Sequence, residues 1–431
     1  MSTRSIAEEA KAASRSLATL SADVKNHALL AIADALTAQS DRIQKANDAD
    51  LKAAKRDKLA APLLKRLTFQ GHKVEDAVAG LRSLAGLPEP VGRVLTRTEL
   101  DSGLVLTKET CPLGLVGVIF ESRPDALVQI SALCLKSGNA ALLKGGREAA
   151  NTNRALAAII CDASREAGVP EGWLQLLETR DEVSEMLAMD DLVDLVIPRG
   201  SNEFVRHIMA TSRIPVMGHA AGICHTYVDR AADLDMALDI VEDAKCQYPA
   251  VCNATETLLV HADVAPMFLP ALAERLGKRG VELRGCKRTC KTIKCVPATE
   301  ADWDSEYLDL ILSIRVVDSM DEAMEHIRRH GSGHTEAIVT EDAVAAERFL
   351  DSVDSADVFW NASTRFADGF RFGLGAEVGI STSKLHARGP VGLEGLLSTK
   401  WKLRGGGHIV APYADGTKAF THKALATGER R

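Results

Sequence analysis

The sequence predicts an α/β protein with two parallel sheets in separate domains and a projecting β-hairpin. Three observations carry this expectation. Short apolar runs alternate with helical stretches through most of the chain, the pattern of βαβ units. The chain has 431 residues, 46% of them hydrophobic, and single cores tend to divide beyond roughly 250–300 residues. Residues 92–110 contain two strand-like runs joined by Asp101-Ser102-Gly103, a turn sequence suited to a hairpin.

Taken in order, the N-terminal segment MSTRSIAEEAKAASRSLATLS reads as an amphipathic helix, with Leu17, Leu20 and Val24 at helical spacing. LVGVIF (115–120) reads as a buried strand and 126–136 as a helix stopped near Gly138. AALLK (140–144) is a strand, 147–167 an Ala-rich helix, LQLLE (174–178) a strand, 181–189 a helix and LVDLVI (192–197) a strand. After residue 255 the alternation resumes with TLLVH (257–261), a helix over 263–278, a strand over 308–317, a helix over 321–330 and EAIVT (336–340). The break between the two series puts a boundary near 246–252. A hairpin projecting from such a domain suits a homo-oligomer interface or a capped edge.

Lys and Arg total 52 against 59 Asp and Glu, a formal charge of −7. That balance argues against a nucleic-acid partner, whose binding depends on neutralising phosphates. The basic run from Arg284 to Lys294 is short and reads as solvated surface. No stretch approaches the ~20 apolar residues that span a bilayer, and the N-terminus lacks a continuous apolar secretion segment. The expectation is a cytoplasmic protein without a membrane partner. Nine cysteines, an odd number, then imply reduced thiols. Cys286, Cys290 and Cys295 form C-x3-C-x4-C without the second knuckle of a zinc site, so no metal is expected.

Two segments invite a chemical reading. Gly373, Gly375 and Gly379 in FGLGAEVG miss the dinucleotide fingerprint by one residue and lack its strand–turn–helix context. KCQYPAVCNATETLLVH (245–261) sets Cys252 in a Pro-containing loop before a strand, at the suspected domain junction. Clefts between domains are favoured ligand sites, and the thiolate fraction of a cysteine is a strong nucleophile. A cysteine taken alone is more often a small core residue. No neighbouring His or Asp spacing marks a protease-like dyad.

Longer stretches say more. They are PLGLVGVIFESRPDALVQISALCLKSGNAALLKGGREA from Pro112, DLVIPRGS from Asp194, IPVMGHAAGICHTYVD from Ile214 and PAVCNATETLLVH around Cys252. EYLDLILS from Glu306 and GLGAEVGISTSKLHARGPVGLEGLLSTKW from Gly373 follow. In this order, and over nearly the whole chain, the sequence resembles the γ-glutamyl phosphate reductase (glutamate-5-semialdehyde dehydrogenase) family of the aldehyde dehydrogenase superfamily. FESRPD, AVCNATETLLVH and KLHARGP are specific to that family.

The resemblance implies an aldehyde dehydrogenase-like fold, with a cofactor domain over 1–245 and a catalytic domain over 246–375. Residues 376–431 would return to the first domain and supply an oligomerisation element. It also implies NADPH-dependent reduction of γ-glutamyl phosphate to glutamate 5-semialdehyde and phosphate, in proline biosynthesis. Cys252 matches the thiol that would form the thioester, and Asn253 is either an oxyanion donor or a turn residue. Lys144 matches the lysine at the adenosine ribose, Gly200 and Ser201 the helix start facing the pyrophosphate, and Glu306 the glutamate at the nicotinamide ribose. Arg147 is either a 2′-phosphate ligand or an exposed helix-start residue.

The substrate carries a phosphate, a carboxylate and an ammonium, and guanidinium binds the anionic groups bidentately. Arg123 and Arg388 are the choices for them. Glu121 either meets the ammonium or pairs with Arg123. Hydrolysing aldehyde dehydrogenases carry Glu-Leu-Gly-Gly where this chain has His219 to Gly222. Loss of a water-activating Glu suits an enzyme that must protect its thioester from hydrolysis. A γ-glutamyl kinase is an expected transient partner, because the acyl phosphate is labile. Competing readings are another aldehyde dehydrogenase, acting on an acyl-CoA or with water, and a non-catalytic subunit. Retention of Cys252, Lys144 and Glu306 together counts against the last.

Overall fold

The computed structural model describes residues 2–121, 123–219 and 221–427. Ser122 of the FESRPD motif and Ala220 of the His219–Gly222 segment lie outside the described residues. The chain opens with helices Thr3–Leu17, Ala22–Ala38, Ser40–Arg56, Ala61–Leu67 and His72–Gly86. The amphipathic helix expected at the N-terminus is divided in two. Ser2 and Ser21 accept hydrogen bonds from the N–H groups of Ser5 and Val24, capping one helix each. Leu20 therefore falls in the connection and Val24 in the second helix.

The hairpin follows as β1 (Val94–Asp101) and β2 (Leu104–Pro112), with Gly103 at φ +74° in its turn. β3 (Leu115–Phe120), β4 (Ala140–Lys144), β5 (Leu174–Leu177) and β6 (Leu195–Arg199) form a parallel sheet in the order β5-β4-β3-β6. All residues of β3 are buried, as expected where helices cover both faces of a parallel sheet. Early crossovers run to one side of β3 and the last returns to the other. The carboxyl ends of β3 and β6 thus flank a topological switch point, the usual ligand crevice of open α/β sheets.

A second parallel sheet contains β7 (Cys224–Val228), β8 (Thr255–His261), β9 (Glu282–Gly285), β10 (Val296–Pro297), β11 (Ile311–Val317), β12 (Thr335–Val339) and β13 (Asp357–Trp360). Its order is β10-β9-β11-β8-β7-β12-β13. The sheet begins upstream of the expected boundary at 246, because β7 pairs with both β8 and β12. Successive residues feed opposite cores, as a period of two requires. Val228, Leu258, Val260 and Val316 join Phe268 on one face. Tyr227, Leu259, Val317 and Ile338 join Phe349 on the other.

β14 (Gly379–Ser381) and β15 (Gly389–Val391) pair with each other. Val378, Val391, Leu393 and Leu396 enter the core of the first half. β16 (Leu397–Arg404) then lies along β2, and β17 (Lys423–Ala424) along β1, giving an antiparallel sheet ordered β16-β2-β1-β17. No helix among the described residues is long and apolar enough to cross a membrane.

One buried cluster gives the fold a specific acid sensitivity. His326, on helix Met320–His330, packs its ring 5.5 Å from that of His225, 4.5 Å from His330 and 5.4 Å from Trp303. Its Nε2 is buried without a hydrogen-bond partner among the described residues. Burial first, and then the charges of His225, His330, Arg315 and Arg329, lower its pKa from 6.5 to about 2. The unfolded chain therefore takes up this proton before the folded one. The contribution to stability is intact above about pH 6.5 and is lost as pH falls towards about 2, by about 1.4 kcal/mol per pH unit. His326→Phe should remove about 2 kcal/mol of the stability loss between about pH 7 and pH 5, read by denaturant unfolding at both pH values. An unchanged pH dependence would exclude His326 as its source.

Candidate active site

Helix Leu234–Cys246 leads into the loop that carries Cys252, ahead of β8. Cys252 is half-buried. Gly222, just before β7, packs directly on it, since a Cβ there would lie 2.2 Å from the Cys252 carbonyl oxygen and 2.6 Å from its Cβ. The Cys224 thiol donates to the same carbonyl at 3.2 Å. Asn253 Nδ2 donates to the Ala367 carbonyl at 2.8 Å. That bond ties one N–H of the amide to the loop after β13 and leaves the second N–H of the same group for another acceptor.

The partner of Cys252 comes from β12. His334, fully buried immediately before that strand, sets its Nε2 3.2 Å from the Cys252 sulfur. Its Nδ1 faces the Thr335 hydroxyl at 2.7 Å, and that hydroxyl donates to Asp357 at 3.3 Å. A Thr proton directed at the carboxylate leaves the Thr oxygen to accept Nδ1–H. The Nε2 lone pair is then directed at the thiol. Sequence reasoning missed His334, which lies 82 residues from the cysteine. The available signal was its position in GSGHTEAIVT, at the mouth of an expected parallel strand.

His219 approaches from the other side, its ring edge-on to that of His334 with centroids 5.1 Å apart. Nδ1 meets the Ile380 carbonyl at 3.0 Å, so it must carry the hydrogen. Burial lowers the His219 pKa, which keeps the ring neutral.

Two unforeseen arginines lie in the neighbourhood of the thiol. Arg199 ends β6 and Arg365 lies in the turn Thr364–Phe366. Both lie near enough for the Cys252 charge to act on them. Burial, then Arg123, lowers the Arg199 pKa, with Glu377 opposing. Burial, then Arg371, does the same to Arg365, whose Nε donates to Gln247 at 3.0 Å. Of the arginines chosen from sequence, Arg123 pairs with Asp125 at 3.0 Å. That contact takes the place of the suggested pair with Glu121. Arg388 pairs with Asp354 at 2.8 Å, a bond that substrate would have to share.

The expected cofactor residues gather at the carboxyl end of the first sheet. Lys144 ends β4, and burial lowers its pKa, with Arg180 adding to the effect against Glu148 and Glu121. Gly200 precedes helix Asn202–Thr211, which Ser201 caps by accepting the Phe204 N–H. A Cβ on Gly200 would come within 2.9 Å of Phe204 and 3.1 Å of the Glu121 carboxylate. Glu306 reaches across from the second half to accept a hydrogen bond from Asn202 at 2.5 Å. A buried Lys245–Glu256 pair at 2.5 Å fixes the turn beyond it, because Glu256 also accepts the Leu308 N–H at 3.2 Å. Arg147 is exposed at the start of the turn Arg147–Ala149. Gly373 and Gly375 sit in turns at φ +76° with no helix after them.

The clustered cysteines lie apart from this assembly, at the β9–β10 edge. Cys290 and Cys295 face each other with sulfurs 2.6 Å apart, while Cys286 turns to Thr289 at 3.4 Å.

The thiol at the junction of two α/β layers defines the class, and residues 2–283 match the model of the aldehyde dehydrogenase family. A gamma-glutamyl phosphate reductase of Acetivibrio thermocellus is 59% identical over 425 residues, 99% of each chain. That of Ruminiclostridium cellulolyticum is 58% identical over 425 residues, covering 99% of this chain and 98% of the relative. The crystal structure of gamma-glutamyl phosphate reductase from Thermotoga maritima superposes with a TM-score of 0.93 at 40% identity, covering 95% of this chain and 100% of that one. The chain belongs to the aldehyde dehydrogenase family, in its gamma-glutamyl phosphate reductase branch. It is an oxidoreductase, and its cofactor is a nicotinamide dinucleotide.

Proposed function

We propose that this chain reduces γ-glutamyl phosphate to glutamate 5-semialdehyde and inorganic phosphate through a thioester on Cys252, with NADPH as reductant, for proline biosynthesis. The observation that carries the reading is the Cys252 sulfur held 3.2 Å from the His334 Nε2 lone pair. His334 takes the thiol proton, and the thiolate attacks the acyl carbon. Phosphate departs with the electrons of the cleaved C–O bond, leaving the thioester. NADPH supplies a hydride to that carbon when bound. Collapse of the resulting thiohemiacetal oxyanion releases the aldehyde, and the freed thiolate takes its proton back from His334.

Arg199 and Arg365 bring fixed positive charge to the anionic end of the substrate, with Arg123 and Arg388 at the rim. Lys144 and Gly200–Ser201 suit the dinucleotide. A lysine close to Arg180 favours a phosphorylated ribose, and a helix start without a side chain at Gly200 leaves backbone N–H groups open to the pyrophosphate. Glu306 would hold the nicotinamide ribose. Homo-oligomerisation is the best use of the sheet β16-β2-β1-β17, where Trp401 and Leu403 are 59% and 57% exposed. A γ-glutamyl kinase remains a candidate for delivering the labile substrate.

The test is the reverse reaction, following NADPH formation from glutamate semialdehyde and NADP⁺. Strict dependence on added phosphate is expected, and it should vanish with the Cys252→Ser variant. Turnover without phosphate would mean that water releases the thioester and would replace this reading with a hydrolysing dehydrogenase.

A further inference from the structure

The active-site thiol is the meeting point of a second constellation. One ligand atom from each of His219, Cys252 and His334 lies within 4.8 Å of the other two. The sequence suggests no metal because its thiol-rich run lacks a second knuckle. The fold assembles these three ligands instead from segments before β7, β8 and β12.

The hydrogen bonding sets both imidazoles in a ligating state. His219 gives its Nδ1–H to the Ile380 carbonyl at 3.0 Å, and His334 gives its own to Thr335 at 2.7 Å. Each ring therefore keeps its lone pair on Nε2. Metal-bound histidines are oriented in this way, by an acceptor on the nitrogen away from the metal. Two neutral imidazoles and a thiol make a three-ligand set, and a tetrahedral Zn²⁺ bound so keeps an open fourth position. A site half-buried at a cleft supplies water or phosphate there.

We propose that His219, Cys252 and His334 form a Zn²⁺ site that reversibly silences the enzyme. On binding, Cys252 loses its proton to solvent and forms an S–Zn bond, and the Nε2 atoms of His219 and His334 donate the other two pairs. No oxidation state changes. The nucleophile and its base are both occupied, and a chelator restores them. The site stands on ligand geometry alone, so its failure would leave the thioester reading untouched.

The test uses the full-length chain, reduced and stripped with chelator, then titrated with Zn²⁺ or Co²⁺. One Zn²⁺ per chain is expected, and Co²⁺ should give a sulfur-to-cobalt charge-transfer band with tetrahedral d–d absorption. Cys252→Ala should abolish the band, and His219→Gln should weaken binding by roughly tenfold or more. The triple variant Cys286→Ser, Cys290→Ser, Cys295→Ser should keep both the stoichiometry and the band. Zn²⁺ should also protect Cys252 from iodoacetamide, as read by peptide mass, and EDTA should reverse that protection. Equal binding by Cys252→Ala, loss of binding in the triple variant, or alkylation of Cys252 at saturating Zn²⁺ would each overturn the site.

Discussion

His334→Gln is expected to lower kcat/KM for reduction by about 10²–10⁴-fold, the usual contribution of a positioned general base. Glutamine keeps a polar side chain of similar reach, but its amide cannot take a proton from sulfur. The same variant should alkylate at Cys252 much more slowly, because the thiol loses the lone pair that now lies 3.2 Å from it. Alkylation needs neither substrate nor cofactor, so it separates loss of activation from loss of binding. A variant that melts like the wild type and alkylates at the same rate would remove His334 from the chemistry.

The second large effect is expected from Gly222→Ala. Its new Cβ would meet the Cys252 carbonyl oxygen at 2.2 Å and the Cys252 Cα at 2.6 Å. These are backbone and near-backbone atoms that cannot rotate away, so the nucleophile loop must move. Misplacement of a reacting group by about 1 Å can cost about 10²-fold in rate, and kcat should fall by at least that order. Far-ultraviolet circular dichroism and gel filtration should report a folded chain, since the displacement is confined to the cleft. Wild-type kcat in a folded Gly222→Ala protein would contradict the close approach.

Sequence made the first sheet readable because parallel strands covered on both faces are continuous apolar runs. LVGVIF and AALLK are of this kind, and both are strands at the expected positions. β7 was unreadable for the converse reason. CHTYV is polar in composition, yet every residue is buried. His225 donates to Glu336 from 111 residues away, and Thr226 meets the Thr255 hydroxyl at 2.8 Å. Only tertiary partners make such a strand affordable, and they cannot be read locally. The missed β7 also explains why the boundary was drawn too late.

The site was legible in part for a similar reason. Cys252, Lys144 and Gly200–Ser201 stand in contiguous motifs at strand ends, where a resemblance can locate them. His334, Arg199 and Arg365 are brought near Cys252 by elements distant from it in sequence. A charged residue closing an apolar run, as Arg199 closes LVIPR, was the local hint available. The anchor of the Asn253 amide could not be read locally either, because its acceptor, the Ala367 carbonyl, lies 114 residues further on.

The two sheets meet the cleft with opposite polarity. The first presents the carboxyl ends of its strands and the second presents its amino ends. Helices Pro124–Lys136 and Asn202–Thr211 begin at the first rim, whereas Leu234–Cys246 and Met320–His330 end at the second. Helix starts carry partial positive charge and helix ends partial negative charge. The cleft is therefore a small capacitor, with its positive plate on one domain and its negative plate on the other. An anionic group is thereby favoured beside the helix starts of the first rim, and an ammonium beside the helix ends of the second.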